Sequence, residues 1–541
     1  MVKDMKEELR SKEVLAMYDI RGIQNYIFKS NDLQEIIGAS DLVENIIIDG
    51  LKEVTRNEKT INPEEYLTEW KEDKGTEFIE DNNVKMQVMF IGGGNAYVLF
   101  RTGELCSKIN RKLARYVMEH TYSLNLAIAV VRKTENYKDD YDNINDEMRH
   151  IKSEMPDTKP IGLMPFMKSD RIMGYPLSIY GNRRKITYFG KEEYLCTESW
   201  IKRETYHNSE KAEGNEKILD NMVTKKGDNS TLAIIHIDGN NMGKRLMKIM
   251  EKKVNYKEAI ETIRNISKCI DESFKAAYRK CEDYVEHIAD NINKDRRGKL
   301  IRKIILAGDD VTFICNAEVA LGAVEIFLKE VYGKCMYEDK TKDELTNLKE
   351  YGLSACGGIA YFNSHFPIRD AYNVAESCCS SAKKRAKAKE HRNNKEAEGN
   401  IGSYLDFQIC MNVNAGNLEK YRETQYYVDS NGEPIIKRPY YVGCPSLDKI
   451  GDLNDNNKEF NIDILKENLK YFNNLNNIPR SQSKKLRNTF AYGKEEVENY
   501  ICFLKSRDRK LPDTDKKSWY DALEIVDFTY EEGENKDEIK D

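Results

Sequence analysis

Two short stretches carry the carboxylates with which this chain could do chemistry. The first runs Leu232-Ala-Ile-Ile-His-Ile-Asp-Gly-Asn-Asn241, the second Ile304-Ile-Leu-Ala-Gly-Asp-Asp-Val-Thr-Phe313. Each opens as an apolar run of strand length and stops on Asp, which delivers the carboxylate to a sheet edge. The second reads as strand, Gly-Asp-Asp turn, strand, the pattern of a hairpin. Set beside the first strand, that hairpin brings Asp238, Asp309 and Asp310 together. Clustered carboxylates repel, and a divalent cation is their natural counter-charge. Mg²⁺ suits such a site because it takes carboxylate and nucleotide phosphate oxygens together.

Taken singly, Asp-Gly and Gly-Asp are ordinary turn dipeptides. Together they point to a metal–nucleotide site, since both carboxylate groups follow apolar strands and Asp309 lies 71 positions beyond Asp238. The elements that follow each of them are those such a site needs. A helix is predicted from Met242, a long amphipathic helix over 257–290, a helix over 317–332 and a strand from Gly352 to Tyr361. Pro367 to Lys389 reads as one helix with Ala371, Val374, Ala375, Cys378, Cys379 and Ala382 on its apolar face. Its basic end, Lys383-Lys-Arg-Ala-Lys-Ala-Lys389, has two readings. It is a solvated face favoured by the helix dipole, or Lys383 reaches nucleotide phosphate.

The same order occurs earlier. Val14 to Ile20 is a strand carrying Asp19, and Arg21 to Gln24 is a turn. Helices follow over 25–35 and from Gly38-Ala-Ser-Asp41 to Ile48, with the Gly38–Asp41 stretch expected to break and re-cap them. Residues 55–83 read as loop or weak helix. Met86–Phe90 and Ala96–Phe100 are strands around Gly92-Gly-Gly-Asn95, followed by a helix over 103–119 and a strand over Asn125–Val131. This is an internal repeat of strand, helices, hairpin, helix, strand. In register, Gly94 and Asn95 take the places of Asp309 and Asp310, so the first copy keeps Asp19 but lacks the turn carboxylates. Between the copies, residues 134–230 are polar and turn-rich, with Pro160, Pro165 and Pro176, and suggest an irregular connector. Asp429-Ser-Asn-Gly432 reads as a hairpin turn, helices fit 461–474, 481–490, 494–506 and 516–527, and the acidic tail from Glu531 reads as disordered.

Composition narrows the function. The 541 residues suffice for several domains, and the net charge of -6 argues against a protein that coats nucleic acid, while leaving local basic patches open. No apolar run reaches membrane-span length, and the charged opening Met1-Val-Lys-Asp-Met-Lys-Glu-Glu does not read as a signal peptide. The 12 cysteines form no Cys-x-x-Cys pair, which points to free thiols in a reducing cytoplasm. No His-Asp dipeptide and no His-x-x-x-His occurs, against a histidine-based metal hydrolase.

The stretch Tyr18-Asp-Ile-Arg-Gly-Ile-Gln-Asn-Tyr-Ile-Phe28 followed by Gly92-Gly-Gly-Asn95 resembles the first palm domain of Cas10, the large subunit of type III CRISPR effectors (Csm1 and Cmr2 types). Asp238 with Ala307-Gly-Asp-Asp310 resembles its second palm and Gly-Gly-Asp-Asp motif. Leu353-Ser-Ala-Cys-Gly-Gly-Ile359, Phe366-Pro-Ile-Arg-Asp370 and Ala375-Glu with Ala382-Lys383 are similar to the end of that palm. More distantly, such palms are similar to those of diguanylate cyclases and class III adenylate cyclases. The resemblance implies an α+β chain with two ferredoxin-like, nucleotidyl cyclase/polymerase-like palm domains, an irregular connector and a C-terminal helical domain. The expected boundaries are 1–133 for a degenerate first palm, 134–230 for a connector without zinc cysteines, 231–402 for the second palm, and 403–541 for the C-terminal region. Three departures stand out. No His-Asp nuclease domain precedes the first palm, the inter-palm zinc cysteines are absent, and Ala307 replaces the first Gly of the motif. This lean form is similar to stand-alone Cas10-like proteins.

The resemblance further implies a nucleotidyltransferase that makes cyclic or linear oligoadenylate, or a related nucleotide messenger, from ATP in antiviral defence. Two metal ions, Mg²⁺ or Mn²⁺, about 4 Å apart would be held by Asp238, Asp309 and Asp310. The backbone around Gly239, Asn240, Asn241 and Gly243, with Gly308 and Lys383, would meet the triphosphate. Asp19, Gly22, Gln24, Gly93, Gly94 and Asn95 would hold the second nucleotide. RNA or type III CRISPR subunits are the implied partners, no membrane is involved, and a homodimer stays open. The competing reading is a palm-pair scaffold that binds RNA or an effector partner without synthesis. A templated polymerase is disfavoured by the absence of an evident thumb.

Overall fold

The computed structural model describes residues 7–530 except 73, 157–163, 171–172, 178–184, 189–190, 210–217, 224–229, 293–298, 333, 335–351, 389–400, 411–416, 427–433 and 444–454. The chain forms two compact units, Met1–Ile218 with Asn241–Asp271, and Leu219–Asn240 with Glu272–Asp541.

In the first unit, β1 (Val14–Arg21) leads into α1 (Ile23–Ile27) and α2 (Leu33–Ile61). Then come β2 (Tyr66–Leu67), α3 (Glu77–Glu80), β3 (Met86–Gly92), β4 (Asn95–Phe100), α4 (Gly103–Thr121), β5 (Asn125–Arg132) and α5 (Tyr137–Glu154). A small hairpin, β6 (Lys185–Tyr188) and β7 (Lys191–Tyr194), precedes α6 (Thr197–Asn208), and α7 (Ile218–Met222) falls to the second unit from Leu219 on. The sheet order is β2-β3-β4-β1-β5, with β1 antiparallel to β4 and β5. Strand alternation divides the faces. Tyr18 looks toward α4, where its hydroxyl donates to Asn110 Oδ1 at 2.6 Å. Leu15 and Met17 pack with Tyr137, Ile144 and Met148 of α5, and with Met250, Tyr256 and Ile260 from the 241–271 segment.

Two expectations are corrected here. The stretch 134–230 is not irregular throughout. Its start is α5, a helix of the first palm, and α6 is a buried helix whose Lys202 and Arg203 pair with Glu198 and Glu35. The apolar stripe Tyr137, Ile144, Met148 is thin and interrupted by acids, which hid its 3.6-residue period. Nor does Gly38 break a helix, because α2 runs unbroken from Leu33 to Ile61 and takes in the start of the stretch from residue 55 that reads as loop or weak helix. A Cβ on Gly38 would sit 1.9 Å from the Lys202 carbonyl oxygen, so this glycine serves close helix packing.

The second unit repeats the plan. It takes in β8 (Thr231–Gly239), after which α8 (Met242–Met250) and α9 (Tyr256–Ile292) follow in the chain. The rest is β9 (Ile301–Ala307), β10 (Asp310–Asn316), α10 (Ala317–Val331), β11 (Ala355–Asn363), α11 (Ile368–Lys387), β12 (Tyr404–Ile409), α12 (Leu418–Gln425) and β13 (Tyr440–Tyr441). The sheet order is β13-β12-β11-β8-β10-β9, with β11 and β12 parallel and the remaining pairs antiparallel. The chain closes with α13 (Asp455–Glu459), α14 (Ile462–Asn473), α15 (Arg480–Thr489), α16 (Lys494–Lys505) and α17 (Lys516–Ile525). Four of these lie where periodicity placed helices, packed through Leu465, Phe472, Leu486, Leu504 and Trp519. Buried ion pairs hold α17 to the segment before β13, Arg438 with Asp521 and Glu524, and α12 to β12, Arg422 with Asp406. The expected turn at Asp429–Gly432 and the acidic tail lie outside the described residues.

The two sheets share one register. Asp19 stands opposite Asn95 and Gly92 opposite Asn95, while Asp238 stands opposite Asp310 and Ala307 opposite Asp310. Even the loop bond recurs, since Ile20 N–H donates to Gly94 O at 3.0 Å and Gly239 N–H to Asp309 O at 3.2 Å. The repeat read from the sequence is therefore a structural repeat, and both copies are palm folds.

Gly358, opposite His236 on β11, sets how closely α11 approaches the second sheet. A Cβ there would lie 2.0 Å from Ala375 O and 2.4 Å from Cys379 N, both backbone atoms of α11. Gly358→Ala is expected to cost about 3 kcal/mol, the upper range for overpacking, because backbone rather than a side-chain tip must move. Urea unfolding measures it, and a loss under about 1 kcal/mol would show that the helix is not tightly seated.

Candidate active site of the second palm

β8 carries Asp238 to its end because Leu232 to Ile237 are wholly or nearly wholly buried, so the first residues able to leave the core are at its C-terminal edge. Between Ala307 and Asp310 the chain turns in two residues, Gly308 and Asp309. Gly308 has φ +63°, which a side chain resists, and Asp309 is not in the left-handed region. The first palm's turn differs, since both Gly93 and Gly94 have positive φ, at +59° and +80°. An aspartate at position 94 would be strained and would press on Ile23, because a Cβ there falls 2.5 Å from Ile23 Cδ1. The missing turn carboxylate thus goes with a different turn. Ala307, by contrast, lies within β9 at a negative φ, so the backbone there does not require glycine.

Three carboxylates therefore gather at one strand edge, Asp238 and Asp310 cross-strand neighbours and Asp309 in the turn beside them. The charge is felt within the cluster. Burial, followed by repulsion from Asp238, pushes the Asp309 carboxyl up to about 6. The Asp238 carboxylate is met by the Lys383 ammonium from α11, which also donates to Gly239 O at 3.0 Å. Burial works against the charge on Lys383, but Asp238 outweighs it and holds the lysine above its ordinary pKa. Among the described residues, no three His, Cys, Asp or Glu side chains stand close enough to hold a metal ion in this arrangement. The donor set nonetheless fits a hard divalent cation, being all carboxylate oxygen with an aspartate whose ionisation its neighbour opposes.

A pH dependence follows for Asp309. Its folded pKa of about 6 stands above the model-peptide value of 3.8, so the folded chain holds a proton that the unfolded chain loses between those values. Its contribution to stability is complete below the unfolded value and is lost as pH rises through about 6. Without divalent cations, Asp309→Asn should flatten the fall in stability between about pH 4 and pH 7. Denaturation titrations across that range check the sign.

The other predicted residues separate. Asn240 is fully buried, its side-chain amide donating to Ser354 Oγ and Gly402 O, both at 3.2 Å, so the side chain braces the strand end. Asn241, at φ +55°, and Gly243 open α8 and belong to the first unit. In that unit Asp19 is buried and paired with Lys152 of α5, and burial raises its pKa despite the lysine. Gly22 has φ +73° and starts α1, Gln24 is half-buried on α1, and Asn95 Oδ1 is buried without a hydrogen-bond partner.

Sequence reasoning missed Lys152, although a signal existed. It lies 15 residues beyond Tyr137, the start of α5, and Lys383 lies 15 residues beyond Ile368, the start of α11. Each helix follows its palm's last strand, so the aspartate–lysine pair is part of the repeat. The same offsets match Tyr141 with Tyr372 and Asn145 with Glu376. Glu376, whose carboxyl is pushed up by burial and by Asp238, was also missed as a site residue. So was His236, which burial drives down to about 4.

Residues 231–395 match the family model of the Cas10/Cmr2 second palm domain. That segment is a palm domain of the Cas10/Cmr2 kind. No curated protein matches the sequence. Among solved structures, the chain is similar to a Csm1–Csm4 cassette in complex with cA4, at 13% identity and TM-score 0.46, over 96% of this chain and 70% of that one. It is also similar to the cassette with AMPPNP, at 13% and 0.45 over 96% and 70%, and to the apo cassette, at 12% and 0.43 over 97% and 71%. Among the described residues, no helix is long and apolar enough to cross a membrane.

Proposed function

We propose that the second palm is a nucleotidyltransferase centre that joins ATP-derived nucleotides into cyclic or linear oligoadenylate, or a related nucleotide messenger, in antiviral defence. The observation that carries this reading is the strand-edge carboxylate cluster with Lys383 poised on it. In the reaction, a ribose 3′-hydroxyl of one nucleotide gives its proton to solvent as its oxygen bonds to the α-phosphorus of another, the bond from that phosphorus to the α,β-bridging oxygen breaks, and pyrophosphate leaves. Asp238, Asp309 and Asp310 would hold Mg²⁺ or Mn²⁺. When bound, such ions lower the pKa of the attacking hydroxyl and offset charge on the leaving group. Lys383 turns from Asp238 to phosphate once the carboxylates have another counter-charge. In the first palm, Gln24 and the open face of Gly93, where a Cβ would meet nothing within 4 Å, are proposed nucleotide contacts. Asp19, Gly22, Gly94 and Asn95 are proposed contacts of the same nucleotide, Asp19 pairing with Lys152 in its absence.

The test is incubation of the purified protein with α-labelled ATP or GTP, Mg²⁺ or Mn²⁺, with and without RNA. Labelled products longer than the input nucleotide are expected. Their absence under all these conditions would sink the enzymatic reading in favour of a scaffold. RNA and type III CRISPR subunits are the proposed partners.

A further inference from the structure

The second palm contains a buried polar pair that the carboxylate chemistry does not by itself require. His236 lies two residues before Asp238 and so on the same face of β8. It is paired in register with Thr312, which lies two residues after Asp310. The imidazole is 4% exposed and Thr312 is fully buried. His236 Nδ1 stands 3.2 Å from Thr312 Oγ1 and 3.6 Å from Asp310 Oδ1. Thr312 Oγ1 is within hydrogen-bond distance of Nδ1 and Asp310 Oδ1 lies just beyond it; a ring carrying its proton on Nδ1 can donate toward either oxygen. Tyr372 of α11 meets the imidazole edge-on, with ring centroids 5.6 Å apart, and Gly358 on the other flank leaves room for that helix.

The first palm supplies an internal control. At the positions equivalent to His236 and Thr312 it carries Met17, 6% exposed, and Tyr97, also 6% exposed, both inside an apolar cluster. That palm has Asn95 and Gly94 in place of Asp310 and Asp309, yet it keeps the aspartate–lysine pair. A buried imidazole–hydroxyl pair is thus present only in the palm with turn carboxylates, where an apolar pair of residues fills the same space in the other. Burying two polar groups costs stability unless they are hydrogen-bonded, and here each is within hydrogen-bond distance of the other.

We propose that His236, held by Thr312, is a positioning residue that orients the Asp310 carboxylate for the cation. The inference rests on the reading of Asp238, Asp309 and Asp310 as cation ligands. Groups standing behind a ligand in this way set its direction, and their loss lowers metal affinity or activity by about tenfold to a hundredfold.

The experiment compares wild type, His236→Met, His236→Asn and Thr312→Val. Methionine is what the first palm uses at this place, and asparagine returns an N–H at the Nδ1 position. Mn²⁺ affinity is read by electron paramagnetic resonance without nucleotide, kcat and KM are read with ATP, and thermal unfolding verifies the fold. His236→Met should bind Mn²⁺ about tenfold to a hundredfold more weakly and lower kcat similarly, with KM for ATP changed far less. His236→Asn should recover most of the loss. Wild-type Mn²⁺ affinity in folded His236→Met overturns the proposal, as does a folded His236→Asn no better than methionine. Should His236→Met not fold, Thr312→Val, which keeps the side-chain shape, decides by the same Mn²⁺ measurement. A wild-type protein that binds no Mn²⁺ would remove the ligand reading and this inference together. A wild type that binds Mn²⁺ and turns over ATP beside an unaffected His236→Met removes this inference alone.

Discussion

Asp309→Ala combined with Asp310→Ala is expected to lower nucleotide turnover about a thousandfold or more. The magnitude is that of several kcal/mol of transition-state charge stabilisation withdrawn at once. The fold should survive. Both side chains stand at a partly exposed strand edge and neither fills the core. The backbone bond from Gly239 N–H to Asp309 O does not depend on the side chain. Removing Asp309 also removes a carboxylate whose ionisation Asp238 opposes, so the melting temperature should hold or rise. Turnover at the wild-type rate in the folded double variant would move the chemistry elsewhere.

Lys383→Met should have effects of opposite sign on the two ligands. In the cation-free protein the Lys383 ammonium neutralises Asp238, so an arriving cation must displace it. Without the lysine that competitor is gone, and affinity for Mn²⁺ alone should rise about tenfold, the equivalent of about 1.4 kcal/mol for one partly buried charge contact. Nucleotide binding should weaken by a similar factor, because the cation that would meet phosphate has been removed. Calorimetry with Mn²⁺, then with a non-hydrolysable ATP analogue, separates the two. If Lys383 were only a solvated residue of a helix end, neither affinity would move. If it were only a structural clamp, both would fall together with stability.

These expectations draw unequally on sequence and structure. The repeat was legible because a strand ending on carboxylate, followed at similar distance by a glycine turn, is a pattern in one dimension. The substitution of Gly94 and Asn95 for Asp309 and Asp310 could be read the same way, and the register bears that alignment out. The helices over 103–119, 257–290 and 317–332 were legible because their apolar periods are strong. Failures came where local signals were ambiguous. Gly38 looks like a helix breaker in isolation, yet a neighbouring carbonyl 1.9 Å from its missing Cβ explains it as a packing contact. Similarly, α5 was hidden among acidic residues whose only role in the pattern is to face water.

By itself the sequence determined the two-palm plan and which palm keeps its turn carboxylates. It also determined where Asp238, Asp309 and Asp310 end their strands. Those features follow from hydrophobic period and turn chemistry, which act between near neighbours in the chain. Tertiary structure alone decided that Lys383 meets Asp238, 145 positions away, and that Lys152 does the same for Asp19 across 133. It alone placed His236 between Thr312 and Asp310, and it turned Asn240 inward to Ser354. The physical reason is common to these cases. A side chain's partner is set by which strand lies beside it and which helix crosses above it, and burial then makes that single contact matter.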